Sequence, residues 1–213
     1  YGTVQQQLAK LTDAGFEVVI VPGNHDLGTG SIGDHDMIAI FQRTFYGDTE
    51  GFPRLFCKGE IAFIVLNSME DELHWYDRWF AQGEIGSRQI DRMVDLFLCD
   101  EARACQKRVL CLHHHPFDWL PLHKLRDSRK LRRALQKRVM RIENGVSVDA
   151  LLYGHNHRGK ARFGKWDIPR AYDSGSATLK HSTTALTPRS HIREIDLAAA
   201  PESDRVILEP VEA

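Results

Sequence analysis

The sequence lacks several features that would place it in a special class of protein. No apolar run approaches the roughly 20 residues needed to cross a bilayer. Residues Tyr1 to Lys10 contain neither a basic segment nor an apolar segment of the kind that directs secretion. Together these absences argue against a membrane partner. There is no excess of charge of one sign: 28 Lys and Arg face 29 Asp and Glu, for a formal net charge of -1. Binding nucleic acid through the overall field of the molecule is therefore disfavoured, and any preference for anions must be local. Cysteine is sparse. Cys57, Cys99, Cys105 and Cys111 show no C-x-x-C spacing, and Cys99 and Cys111 fall in apolar stretches. They read as reduced structural thiols, which points to a cytoplasmic location. Repeats, linkers and low-complexity tracts are also missing, and an initiator Met does not precede Tyr1.

What is present is an ordinary globular composition, with 42% hydrophobic and 27% charged residues over 213 positions, enough for a single domain spanning 1–213. Helical spacing of Val4, Leu8 and Leu11 is followed by the β-branched run Glu17 to Val21, which ends at Pro22-Gly23. Further buried strands are expected at Ile61 to Leu66, Arg108 to Leu112 and Asp149 to Tyr153. Helices are expected from Ser87, as N-cap, to Ala104 and from about Asp127 to Glu143. Trp166 to Tyr172, His191 to Leu197 and Arg205 to Glu209 read as strands that pair without intervening helices. The pattern is α/β, with a β-rich end. The aromatic segment Asn67 to Gly86 suits either a pocket wall or surface packing.

Three groups of metal-capable side chains each follow an expected buried strand: Asn24-His25-Asp26, His113-His114-His115 and His155-Asn156-His157. Groups just beyond the carboxyl ends of parallel strands converge on one sheet edge, even when far apart in sequence. In an extended Gly154-His155-Asn156-His157, both imidazoles would point to one side. Asp26 is chemically able to ligate, and the preferred reading makes it a cap or turn residue that hydrogen-bonds the loop or orients His25. The basic stretch from Lys124 to Arg141 suits either anion steering or a solvated helix face, and the second reading is preferred.

The strings P-G-N-H-D, H-H-P and Y-G-H-x-H, in this order, resemble three of the five signature blocks of the calcineurin-like metallophosphoesterases. The likeness runs from about Glu17 to Ser176. It implies a two-sheet α/β/β/α sandwich and hydrolysis of a phosphate mono- or diester at a dinuclear metal centre, with two ions drawn from Mn, Fe, Zn or Co. Carried over by motif, Asn24, His114 and His155 would bind one ion and His157 the other. His25 would be the catalytic histidine at the leaving group. Independently of the resemblance, Arg158 adjoins the metal histidines and suits either a contact to the phosphate-ester substrate or a surface charge after a loop. His114 is chosen from the triple because the family ligand lies two residues before the Pro, leaving His113 and His115 to the opposite side or to a supporting role. The family's opening D-x-H and its G-D block do not occur before Pro22, and the later Gly33-Asp34 lacks a preceding strand. The expectation is therefore a domain lacking its first strands and its bridging carboxylate. Such a chain would hold at most one metal weakly and be incompetent by itself. A non-catalytic interaction module, or a protein binding a single metal through its histidines, is the alternative, and the presence of His25 favours enzyme ancestry.

Overall fold

The computed structural model describes residues 1–26, 35–69, 82–118, 124–156, 159–175 and 192–207. Its centre is a six-stranded sheet in the order β1-β2-β3-β4-β6-β5. These strands are β1 (Arg54–Lys58), β2 (Ile61–Val65), β3 (Lys107–Cys111), β4 (Ala150–Tyr153), β5 (Ala161–Lys165) and β6 (Ile168–Asp173). The four inner strands β2, β3, β4 and β6 are parallel, whereas the outer strands β1 and β5 run antiparallel to their neighbours. A separate antiparallel pair, β7 (Ile192–Glu194) and β8 (Arg205–Ile207), forms a second, smaller sheet. This mixed α/β arrangement is consistent with the fold implied by the motifs.

Alternation along the inner strands divides the apolar side chains between two faces. Ala62, Ile64, Leu110, Leu151 and Tyr153 enter one core, which is closed by α3 (Ser87–Leu98), α4 (Asp100–Ala104) and α5 (Ser128–Ala134). A turn of π-helix, Leu135–Met140, continues α5 and adds Leu135 and Val139 to the same core. Val65, Val109, Cys111 and Ala150 face the other side, against Phe41 of α2 (His35–Phe45). Removing a fully buried side chain such as Leu110 by Leu→Ala costs about 2–5 kcal/mol at sites of this kind.

Several expectations are corrected. Glu17 to Val21 is not a strand of the sheet; Val19, Ile20 and Val21 pack against the second core, and Tyr46 Oη donates to Ile20 O at 2.6 Å. Partial burial of its β-branched side chains therefore does not require a ladder. The helix expected over Ser87 to Ala104 breaks at Cys99, where the backbone is extended with ψ 157°. Ser87 is the first helical residue rather than the cap. Just ahead of it, the N–H groups of Ile85 and Gly86 are accepted by the Asp127 carboxylate. Trp166 does not open a strand. With Asp167 it forms a two-residue hairpin turn in which both residues have positive φ, 60° and 66°, matching the right-handed twist of β5 and β6.

The smaller sheet is tied to β6 by a buried ion pair. Arg170 donates to both oxygens of Asp204 at 2.9 and 3.0 Å, and to Ala199 O at 2.6 Å. Both side chains are nearly inaccessible, so loss of either partner would strand a buried charge. Helix α1 (Gly2–Asp13) buries none of its residues, and Val4 and Leu11 are about half exposed. No described helix is long and apolar enough to cross a membrane.

Candidate metal centre

Because β2, β3 and β4 are parallel neighbours, the residues that leave their carboxyl ends emerge side by side. Ser68 follows β2, His113 and His114 follow β3, and His155 follows β4. Backbone bonds carry the register beyond the strands: Leu112 N donates to Leu152 O at 3.0 Å and Gly154 N to His113 O at 2.9 Å. The second bond fixes the two histidine loops relative to one another.

The ligand-capable nitrogens of His113, His114 and His155 lie within 4.8 Å of one another. His113 Nε2 sits 2.9 Å from Asn24 Oδ1 and 3.1 Å from His155 Nδ1. A single ring proton can lie in only one of these two contacts, so lone pairs converge at the centre of the group. Donors bound to one ion at 2.0–2.1 Å in tetrahedral geometry are about 3.3 Å apart, close to the spacings seen here. Neutral imidazole nitrogens with an amide oxygen suit Mn, Fe, Zn or Co. The residues present thus fit a metal ion, and Asn24, His113, His114 and His155 are the ones able to hold it.

The structure brings Asn24, His114 and His155 together. His157 and Arg158 lie outside the described residues, as does the side chain of His25, whose backbone forms part of the turn Asn24–Asp26. Asn24 arrives at the cluster without a preceding sheet strand. Its turn is pinned by the Asp26 carboxylate, which accepts from Gly23 N at 2.9 Å, and by Tyr1 Oη, which donates to Asp26 O at 2.8 Å. Asp26 thus hydrogen-bonds its own loop.

The motif places His113 on the opposite side or in a supporting position, yet it is the histidine in direct contact with both Asn24 and His155. The strand ends at Cys111 and the chain bends at His113 and His114, so the two-residue alternation of a strand does not apply. That bend leaves both rings in the cluster, 5.1 Å apart between centroids. Three consecutive histidines just past a strand end were the available signal. His115 does turn away. Its Nδ1 accepts from Phe117 N at 3.1 Å, and its ring packs 4.7 Å from that of Tyr153. Burial pushes the Tyr153 phenol up to about 12, so it stays neutral beneath the site.

Two further features support the cluster. His114 is completely buried, with Nδ1 2.8 Å from Ser68 Oγ, and its backbone N–H donates to the same oxygen at 3.2 Å. His155 is not extended as expected; its φ is 73°, and Asn156 N donates to Gly154 O at 2.9 Å across it. This is the uncommon positive-φ γ-turn, a strained conformation for a residue with a Cβ. Glycines permit the close approaches. A Cβ on Gly23 would lie 3.0 Å from the His113 ring, and one on Gly83 would lie 2.2 Å from His114 Nδ1. Among the described residues, the cluster contains three histidines and no carboxylate.

Comparison with known proteins agrees with the motifs. The family model for calcineurin-like phosphoesterases matches residues 1–159. The bovine (Bos taurus) serine/threonine-protein phosphatase CPPED1 is 28% identical over 153 residues, covering 72% of this chain and 45% of that protein. The chain therefore spans about half the length of the curated relative it matches.

Proposed function

Since the chain belongs to the calcineurin-like phosphoesterase family, we propose that it hydrolyses a phosphate mono- or diester with the help of metal bound at the histidine cluster. The observation that carries this reading is the meeting of Asn24 Oδ1 and His155 Nδ1 at His113 Nε2 through two contacts, with His114 beside them. In this reading Asn24, His155 and one or both of His113 and His114 hold one ion, and His157 holds a second. A bound ion would neutralise phosphate oxygens and lower the pKa of an attacking water. The chain's own residues do the rest. His25, outside the coordination set, donates a proton to the leaving oxygen, and Arg158 holds a non-bridging phosphate oxygen. The buried Ser68, the Asp26-pinned turn and the strained His155 backbone keep the donors in place before substrate arrives.

An all-neutral donor set favours a second reading, in which the protein binds one metal through Asn24 and the histidines and hydrolyses nothing. Two cations at such a site would repel each other with little compensation. Both readings are tested by titrating the protein with Mn or Zn and assaying p-nitrophenyl phosphate and bis(p-nitrophenyl) phosphate. Hydrolysis that chelation abolishes, and that falls by about 10² in His25→Ala while metal content is kept, supports the enzyme. Metal uptake that Asn24→Ala and His155→Ala remove, with no turnover of either ester, favours the binding protein.

A further inference from the structure

A cleft of about 440 Å³ is lined by Arg129, Arg132, Arg162, Lys165, Phe117 and Trp166. The cations come from two elements. Arg129 and Arg132 are spaced i, i+3 on α5 and so share one helical face, while Arg162 and Lys165 belong to β5. Phe117 and Trp166 make the apolar wall, their ring centroids 4.8 Å apart, and the Arg162 guanidinium lies 5.7 Å from the Phe117 ring centre. Asp118 is the acid in the lining, and it is engaged: Asn156 Nδ2 donates to its Oδ2 at 2.8 Å. Asn156 adjoins His155, so the bond joins the cleft directly to the candidate metal loop.

Charge is what makes this cleft unusual in a chain with a net charge of -1. Elsewhere on the same segment Arg126, Arg138 and Arg141 are paired with Glu84, Asp91 and Asp167. Arg129, Arg132, Arg162 and Lys165 form no ion pair among the described residues. Arg162 Nε is buried and makes no hydrogen bond there. Four positive groups held around one concavity focus a potential that attracts an anion richer in charge than a single ester phosphate.

We propose that the cleft is a subsite for a second phosphate of the substrate, so that the substrate class is a small phosphate ester carrying a further phosphate away from the bond that is cut. Its place in the substrate rests on the phosphoesterase reading above; its anion-binding chemistry does not. Part of the basic stretch from Lys124 to Arg141 is then a ligand-binding face rather than a solvated one.

The probe is inorganic pyrophosphate, titrated calorimetrically in the presence of a chelator so that no metal takes part. Saturable binding is expected, weakened at least about tenfold in the double variant Arg129→Ala/Arg132→Ala, since two charge-assisted contacts are removed. It should change less than about twofold in Arg133→Ala/Lys137→Ala. That pair borders a different groove and removes the same charge. No saturable binding, no effect of the cleft arginines, or an equal effect of the control pair would overturn the proposal. If pyrophosphate binds as expected while no ester is turned over with any metal, the cleft stands and the phosphoesterase reading fails. If esters are hydrolysed but pyrophosphate binding ignores Arg129 and Arg132, the reverse holds.

Discussion

The Ser68 hydroxyl accepts the backbone N–H of His114 at 3.2 Å and lies 2.8 Å from Nδ1 of the same residue, with both side chains fully buried. One oxygen thus fixes the main chain and the ring of a candidate ligand together. If Nδ1 carries the ring proton and donates it to Oγ, Nε2 is left with its lone pair outward, the tautomer a metal requires.

Ser68→Ala is therefore expected to lower metal affinity about 10–100-fold while leaving the fold intact, because the hydroxyl acts on the ligand's orientation and tautomer. Titration with Mn or Zn, alongside circular dichroism, reads both effects. Unchanged affinity would show that His114 does not depend on Ser68 or is not a ligand.

Gly83 makes the same point through space. A Cβ there would sit 2.2 Å from His114 Nδ1 and 2.6 Å from the backbone oxygen of Ser68, and neither the buried ring nor a backbone atom can yield cheaply. Gly83→Ala should destabilise the protein by about 1–3 kcal/mol and weaken metal binding further than Ser68→Ala. Urea denaturation with and without metal separates the two effects. A variant that matches the parent in both measurements would mean that the Gly83 backbone moves freely away from His114.

The inner strands were legible because parallel strands covered on both faces must be apolar nearly throughout, as Val109 to Leu112 and Leu151 to Tyr153 are. β5 was not legible: Ala161, Phe163 and Lys165 are all exposed, so no alternation marks it. Its turn was hidden too, since Trp166 and Asp167 adopt positive φ without the Asn-Gly or Gly signal that usually announces it. In the site, the convergence of the triple histidine with His155 followed from strand placement, and the choice of His114 within the triple from the family motif. Two features did not. The bend that swings His113 into the cluster and the left-handed backbone of His155 are tertiary choices, fixed by the contact with Asn24 and the bond from Gly154 N to His113 O. Local sequence offers only the run of three histidines past a strand end for the first, and nothing for the second.

Away from the site, Asp48 and Arg54 form a bidentate pair, with Arg54 Nη2 donating to Asp48 Oδ2 at 2.8 Å and Nη1 to Oδ1. The Arg54 guanidinium holds the Asp48 carboxyl down to about 2, below its ordinary 3.8. A depressed carboxylate contributes stability above its unfolded pKa and loses it as pH falls through the folded one. The stability gap between the parent and Asp48→Asn should therefore be constant from pH 7 to about 5 and shrink between about pH 4 and pH 2. Urea midpoints measured across that range test this, and a gap that is flat down to pH 2 would mean that the pair does not persist in solution. Salt should narrow the gap, because the pair is partly exposed.

His155 offers a test that separates backbone strain from ligation. Its φ of 73° forces a Cβ into the left-handed region, where an L-residue pays roughly 1–2 kcal/mol and glycine almost nothing. At ordinary positions alanine is the more stabilising of the two by about 0.5–1 kcal/mol, because glycine loses more freedom on folding. If the positive-φ turn is held in solution, the order must reverse at this position: His155→Gly should be more stable than His155→Ala by about 0.5–1 kcal/mol. Neither variant has the imidazole, so neither should gain stability from added Mn or Zn, whereas the parent should gain by an amount that grows with metal concentration. The measurements are urea or thermal unfolding of the three proteins, each with chelator and with saturating metal. An alanine variant more stable than the glycine one would show that the turn relaxes when the ring is removed, making the contacts of the His155 ring with His113 and His114 the source of the strain. An equal metal-induced gain in all three would remove His155 from the set of ligands altogether.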